Sequence, residues 1–156
     1  MRLEEAQRLA EQITKEILPH CKRVEVAGSI RRKKSEVNDI DLVLIPKPLL
    51  KHRILNTLQR KMNGKVTKKG DKTSQVIIDG VRVDLYYALE ENFAGLLLFR
   101  TGSMRNNLKL ASRARSIGLR LAHYGVFNGD ERVDDNTEEG IYRILSLEYK
   151  QPDERE

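Results

Sequence analysis

Tryptophan is absent from the chain, cysteine occurs once, methionine three times and proline four times. The single cysteine, Cys21, excludes an internal disulfide and fits a reducing, intracellular, cytoplasmic compartment. No apolar run approaches the length of about 20 residues needed to cross a bilayer, so no membrane association is expected. A secretory leader is not expected either. The first residues, MRLEEAQRLAEQITKEIL, are acidic where a leader has a basic flank, and they lack its unbroken apolar stretch. Internal repeats, low-complexity segments and long flexible linkers are lacking too. Scarce Cys, Met and Trp beside abundant charge are compatible with a thermophilic source.

What is present is a chain of 156 residues with 39% hydrophobic and 33% charged side chains, enough for one ordinary domain or two small, closely packed ones. Lys and Arg number 29 against 23 Asp and Glu, a formal net charge of +6. Positive charge favours polyanionic partners through long-range attraction and counterion release. Charge alone does not name a partner, but here it is clustered: Arg31 to Lys34 in one run, Lys61, Lys65, Lys68, Lys69 and Lys72 in a second, and Arg105, Lys109, Arg113, Arg115 and Arg120 in a third. Three basic patches can track a nucleic-acid backbone.

Along the chain, residues 2–18 place apolar side chains at helical spacing and stop before Pro19. Val24 to Ala27 reads as a short strand ending at Gly28, and 40–45 as a buried strand bounded by Pro46. A helix over 49–62 closes at Asn63-Gly64. Strands follow at 66–69, 75–78 and 81–89, the last two joined by Asp79-Gly80, a dipeptide suited to a type I′ turn. From about residue 90 the texture changes. Helices are expected at 91–99 and 104–117 on either side of Thr101-Gly102-Ser103, then strands at 119–122 and 125–128, a turn at Gly129-Asp130, and a helix from about Thr137 to Leu145. Residues 151–156 are polar and are expected to fray.

The chemistry concentrates in Gly28-Ser29 after one strand, Asp39-Ile40-Asp41 entering the next, and Asp84 in the later strand. Alternation puts Asp39 and Asp41 on one face while Ile40 and Leu42 point into the core. Gathering like charges is costly unless cations neutralise them, and hard oxygen ligands suit Mg²⁺. Two such ions clamp the attacking and leaving oxygens of an in-line phosphoryl transfer. Gly28-Ser29 supplies the complementary half, since glycine lets backbone approach a phosphate, and Arg31 and Arg32 stand ready for the remaining charge. Each piece alone has a bland reading: an ordinary turn, a solvated strand end, a hairpin surface residue. In this order, with apolar residues around the acids, they carry more.

This combination, with Arg82-Val83-Asp84 and Thr101-Gly102-Ser103, resembles family X DNA polymerases, the group containing DNA polymerase beta. Gly118 to Phe127 and the ending IYRILSLEYKQPDERE are similar to the thumb of that family, so the resemblance covers nearly the whole chain. It implies an α+β fold: a palm at 1–90 with a mixed sheet and flanking helices, followed by a small α/β thumb at 91–156. It implies a DNA-directed polymerase adding dNTPs to the 3′ end of a primer-template or gapped duplex, filling short gaps in repair. By the resemblance Asp39 and Asp41 ligate two Mg²⁺ ions, with Mn²⁺ as a possible substitute, and Asp84 ligates the catalytic one. Gly28, Ser29 and Arg32 hold the triphosphate, and Asn38, where the family usually has glycine, offers its backbone N–H. Phe99, Gly102 and Asn107 line the sugar and base side. Arg82 lies near the primer-terminal phosphate, and Arg105 and Lys109 meet DNA.

Two departures stand out. Phe99-Arg100 replaces an aromatic pair before Thr-Gly-Ser, which opens the question of ribonucleotide exclusion. The chain also begins in the palm, so the fingers and lyase domains of many relatives are expected to be absent, with low processivity and strong salt dependence. Three rivals remain at this point: a small nucleotidyltransferase acting on a small molecule, a protein or an RNA end; a template-independent terminal transferase; and a catalytically silent DNA-binding module. The thumb-like sequence argues against the first, and the presence of all three acids against the last. Oligomeric state is not legible.

Overall fold

The computed structural model describes residues 1–156. Its larger part is a five-stranded mixed sheet in the order β1-β2-β5-β4-β3. The strands are β1 (Cys21–Val26), β2 (Asp39–Pro46), β3 (Lys65–Lys69), β4 (Thr73–Ile78) and β5 (Val81–Tyr87). All neighbours pair antiparallel except β2 and β5, which run parallel at the centre. The Asp79-Gly80 turn behaves as its dipeptide requires, both residues having left-handed backbone, φ 52° and 75°.

Two helices cover one face of this sheet. Helix α1 (Leu3–Ile17) buries Ala6, Leu9, Ala10, Ile13 and Ile17, one per turn or so, and α3 (Lys51–Met62) buries Ile54, Leu55 and Leu58. They close on Ile40, Leu42, Leu44, Val76, Val83 and Leu85, each fully buried. Helix α3 ends where Asn63 turns left-handed and its N–H bonds the Leu58 carbonyl.

The opposite face is divided along its length. At the C-terminal half of β2, Val43 and Ile45 meet Phe93, Leu96 and Leu97 of α4 (Phe93–Thr101). At its N-terminal half stand Asp39 and Asp41, without such a cover. Helix α4 is apolar all round because it is sandwiched: its Leu98 faces a separate small core with Leu110, Ala114, Val126, Ile141, Tyr142 and Leu145. That core lies among α5 (Met104–Ser116), α6 (Glu138–Ile144) and a three-stranded sheet of β6 (Arg120–Ala122), β7 (Gly125–Asn128) and β8 (Glu131–Arg132). Ser103 caps α5 by accepting from the Asn106 N–H at 3.2 Å, and Thr137 caps α6 by accepting from Gly140 at 2.9 Å.

Several sequence expectations change. Strand β1 begins at Cys21, three residues before Val24, because it pairs with β2 as far as Pro46. Residues Gly28–Arg31 form a one-turn helix, α2, too short to leave a periodic signal. Strand β8 is a further two-residue addition. Residues 151–156 do not fray: Pro152–Glu154 make a turn of 3-10 helix and Arg155 is 0% exposed. Their polarity misled because the anchor is itself ionic. Arg155 donates to the buried carboxylate of Glu138 at 2.7 Å, to the Lys150 carbonyl and to the Tyr149 hydroxyl. No helix is long and apolar enough to cross a membrane.

Removing one partner of a buried ion pair strands the other, which costs about 3–5 kcal/mol. Glu138→Ala is therefore expected to lower the urea-unfolding free energy by that amount. A change under about 1 kcal/mol would mean that Arg155 is resolvated and that the C-terminal segment is not held by this pair.

Candidate active site

The parallel pairing of β2 with β5 sets Asp39 opposite Arg82 and Asp41 opposite Asp84. Residues two apart on a strand share a face, so all four side chains project from the same side of the sheet. Burial first, and then the charges of Asp39 and Asp84, push the Asp41 carboxyl up to about 6. Tyr86, two residues beyond Asp84 on that face, donates its hydroxyl to Asp41 Oδ1 at 3.3 Å. The Arg82 guanidinium bonds Asp39 and lies 3.2 Å from Asp84, and those two carboxylates hold its own pKa above the usual value.

Facing the acids is the turn from β1 into α2. Ala27 donates its N–H to the Asp41 carbonyl at 2.8 Å, which brings Gly28 directly against the Asp41 side chain. A Cβ on Gly28 would sit 2.1 Å from Asp41 Oδ2, and its φ of 61° is left-handed, so only glycine fits. The first turn of α2 leaves N–H groups without intrahelical acceptors, beside the Ser29 hydroxyl.

Between these elements and the smaller core lies a cleft of about 950 Å³. Gly28, Ser29, Arg32, Asn38, Asp39 and Asp41 line it from the sheet side, and Phe99, Gly102 and Asn107 from the other. Arg32 reaches across, donating to the Thr101 carbonyl at 2.6 Å, while its Nε is buried without a hydrogen-bond partner. Asn107 donates to the Phe99 carbonyl at 2.9 Å, and its Oδ1 is likewise buried and unpaired. Orphaned polar atoms on opposite walls mark a cleft fitted for a polar ligand.

Not every residue singled out from sequence lies there. Asp84 and Arg82 stand beside the cleft through their contacts with Asp39 and Gln75 rather than on its wall. Arg105 and Lys109 lie one helical turn apart on the outer side of α5, with Arg113, around a separate shallow depression. Conversely, no sequence motif singles out Arg100 as a site residue, yet it lines the cleft, stacks 4.1 Å over the Tyr86 ring and has an unpaired buried Nε. Tyr86 was also missed. Its spacing from Asp84 is the signal that would have found it, since i and i+2 on a strand face the same way.

The smaller unit is tied to α2 by charge. Arg31 donates to both Glu138 oxygens, at 2.9 and 2.5 Å, and to the Thr101 hydroxyl at 2.9 Å. Burial would raise the Glu138 pKa, but bonds from Arg31 and Arg155 outweigh it and hold the carboxyl below its ordinary value.

A sequence model of the DNA polymerase beta thumb matches residues 96–156, the part containing the cleft's far wall. Repair DNA polymerase X of African swine fever virus, in a tick isolate from South Africa, is 27% identical over 142 residues, spanning 86% of this chain and 82% of the viral one. The same protein from a Namibian warthog isolate is 26% identical over the same spans. The chain is similar to the small repair polymerases of family X over most of its length. Members of that family depend on metal ions in general, and the donor set here is of the fitting kind: three hard carboxylates, one of which, Asp41, is pushed up to about 6 by burial first and then by the other two. They do not close into a coordination cage as they stand. The Arg82 guanidinium is the cation between Asp39 and Asp84.

A pH dependence follows for Asp41. Its folded pKa of about 6 lies above the ordinary 3.8, so the fold holds this proton more tightly than the unfolded chain does. Stability from this group is full below about pH 4 and is lost as pH rises through 6. Asp41→Asn should therefore be more stable than the wild type in chelator at pH 8, by on the order of 2–3 kcal/mol. The gain should shrink at pH 4 and on adding Mg²⁺. Thermal melts that rank the variant below the wild type in chelator at pH 8 would contradict the electrostatic account.

Proposed function

We propose that this protein is a repair DNA polymerase that extends a primer 3′ end by metal-assisted phosphoryl transfer, filling short gaps. The observation that carries the reading is the placement of Asp39 and Asp41 across from Gly28-Ser29 in a cleft whose far wall matches the polymerase beta thumb, with Asp84 beside them on the same sheet face. In this reading residues 1–90 are the palm and 91–156 the thumb.

In this reading Asp39 and Asp41 hold two Mg²⁺ ions, replaceable by Mn²⁺, and Asp84 joins them at one. When bound, the ions neutralise the carboxylates, polarise the α-phosphate and lower the pKa of the primer 3′-hydroxyl. Asp84 orients that hydroxyl for attack on the α-phosphorus, and pyrophosphate leaves. Ser29, the N–H groups at Gly28 and Asn38, and the free Nε of Arg32 take the triphosphate oxygens. Phe99 and Gly102 border the sugar, and the unpaired Oδ1 of Asn107 accepts from the nucleotide. Arg82 turns from Asp39 to the primer-terminal phosphate, and Arg105 and Lys109 meet DNA along the outer side of α5. Positioning and electrostatics then supply the catalysis, as phosphoryl transfer requires.

The test is extension of an end-labelled primer on a one-nucleotide-gapped duplex at low salt with Mg²⁺ and each dNTP or rNTP singly. Addition of the complementary dNTP is expected, with Asp84→Ala losing extension while keeping its melting temperature. Addition regardless of template would make the protein a terminal transferase, and no addition would move the reading to a small-substrate nucleotidyltransferase. An unchanged rate in Asp84→Ala would overturn the assignment of the acids.

A further inference from the structure

Strand β4 separates Asp84 from the edge of the sheet, and the residue opposite Asp84 on it is Gln75. Directly paired residues share a face and come within reach of one another. The Gln75 amide donates from Nε2 to Asp84 Oδ1 at 2.8 Å. Its other end is fixed from the edge strand, where the Thr67 hydroxyl donates to Gln75 Oε1 at 3.0 Å.

Thr67 reaches Gln75 because the ladder slips. Val66 pairs with Val76 and Lys68 with Gln75, so Thr67 is an extra residue between them. Bulges of this kind re-aim a side chain and are common beside active sites. The acceptor-only carboxylate settles the orientation of the amide: the NH₂ faces Asp84, and the oxygen faces the Thr67 hydroxyl, which can donate to it.

Asp84 needs such a hold. It shares its sheet face with two other carboxylates, and repulsion favours any rotamer that swings it away from Asp41. Its second oxygen, Oδ2, is held by Arg82 Nε at 3.2 Å, but Arg82 is half exposed and is the side chain that turns to DNA in the function proposed above. Once Arg82 leaves, Gln75 is the donor that remains. We infer that Gln75, aimed by the Thr67 bulge, is the positioning residue that holds Asp84 in line for the primer 3′-hydroxyl. The inference rests on the polymerase reading. Side chains that hydrogen-bond a metal-ligating group typically matter by 10–100-fold in metal affinity or activity. A mere cross-strand surface pair would leave both rate and metal affinity unchanged when cut.

The experiment uses the full chain with Gln75→Leu, Thr67→Val and Thr67→Ser, and with Asp84→Ala alongside. Single-turnover extension on gapped duplex is measured at saturating dNTP and Mg²⁺, and Mn²⁺ binding to the protein–DNA complex is titrated separately. Gln75→Leu should extend about 10-fold more slowly and bind Mn²⁺ several-fold more weakly, with dNTP affinity and melting temperature near wild type. Thr67→Val should lie between it and the wild type, and Thr67→Ser, which keeps the hydroxyl, should match the wild type. If Gln75→Leu does not fold, Thr67→Val against Thr67→Ser decides the matter alone. Wild-type rate and Mn²⁺ affinity in Gln75→Leu, or equal losses in Thr67→Val and Thr67→Ser, would overturn the inference. Extension by Asp84→Ala would instead overturn the polymerase reading; its silence beside a normal Gln75→Leu would sink the positioning role alone.

Discussion

Like charges crowded onto one sheet face are the constraint around which the rest of the molecule is arranged. Asp39, Asp41 and Asp84 come together only because two non-consecutive strands, β2 and β5, run parallel at the centre of the sheet. Burial first, and then the two neighbouring charges, push the Asp41 carboxyl up to about 6. Each acid has its own attendant: Arg82 for Asp39, Tyr86 for Asp41, and Gln75 with Arg82 for Asp84. Arg100, stacked on Tyr86, adds a positive field that eases the burden on Asp41. The apolar reverse of β2, packed under α1 and α3, makes this strained face rigid enough to keep.

A second ionic centre links the parts. Glu138 in α6 accepts from Arg31 in α2 and from Arg155 near the end of the chain. Arg31 follows the Gly28-Ser29 turn directly, and the neighbouring Arg32 holds the Thr101 carbonyl where α4 gives way to α5. The turn that faces the acids is thus braced against the far wall of the cleft by two adjacent arginines. Binding at that turn and the relative placement of the two walls are mechanically joined.

The family and the acid motif were legible because they are local: Asp-x-Asp alternation, Gly-Ser before it and apolar runs around it. The helices α1 and α3 were legible from periodicity. What escaped depends on pairing that sequence does not display. The β2–β5 parallel neighbour relation brings the face that carries Asp84 and Tyr86 against Asp41, and Arg100 arrives from α4 by stacking on Tyr86, a tertiary contact with no sequence signal. Gln75 and Thr67 escaped because a one-residue bulge leaves no compositional mark. The last six residues read as frayed since a buried Arg155 satisfied by Glu138 looks, in sequence, like any solvated charge. Arg105 and Lys109 stood out as part of a basic cluster, and they lie on the outer side of α5, around a depression separate from the cleft.

The central claim is that the three carboxylates are arranged for divalent cations, with Arg82 standing between Asp39 and Asp84 until DNA draws it off. A crystal structure of the protein with gapped DNA, a non-hydrolysable dNTP and Mn²⁺ tests it most directly, through anomalous scattering at the manganese edge. The account predicts anomalous peaks bounded by Asp39, Asp41 and Asp84, with Arg82 on the primer phosphate and Gln75 still bonded to Asp84. A complex with bound nucleotide, no manganese at the carboxylates and Arg82 still paired to Asp39 would contradict it.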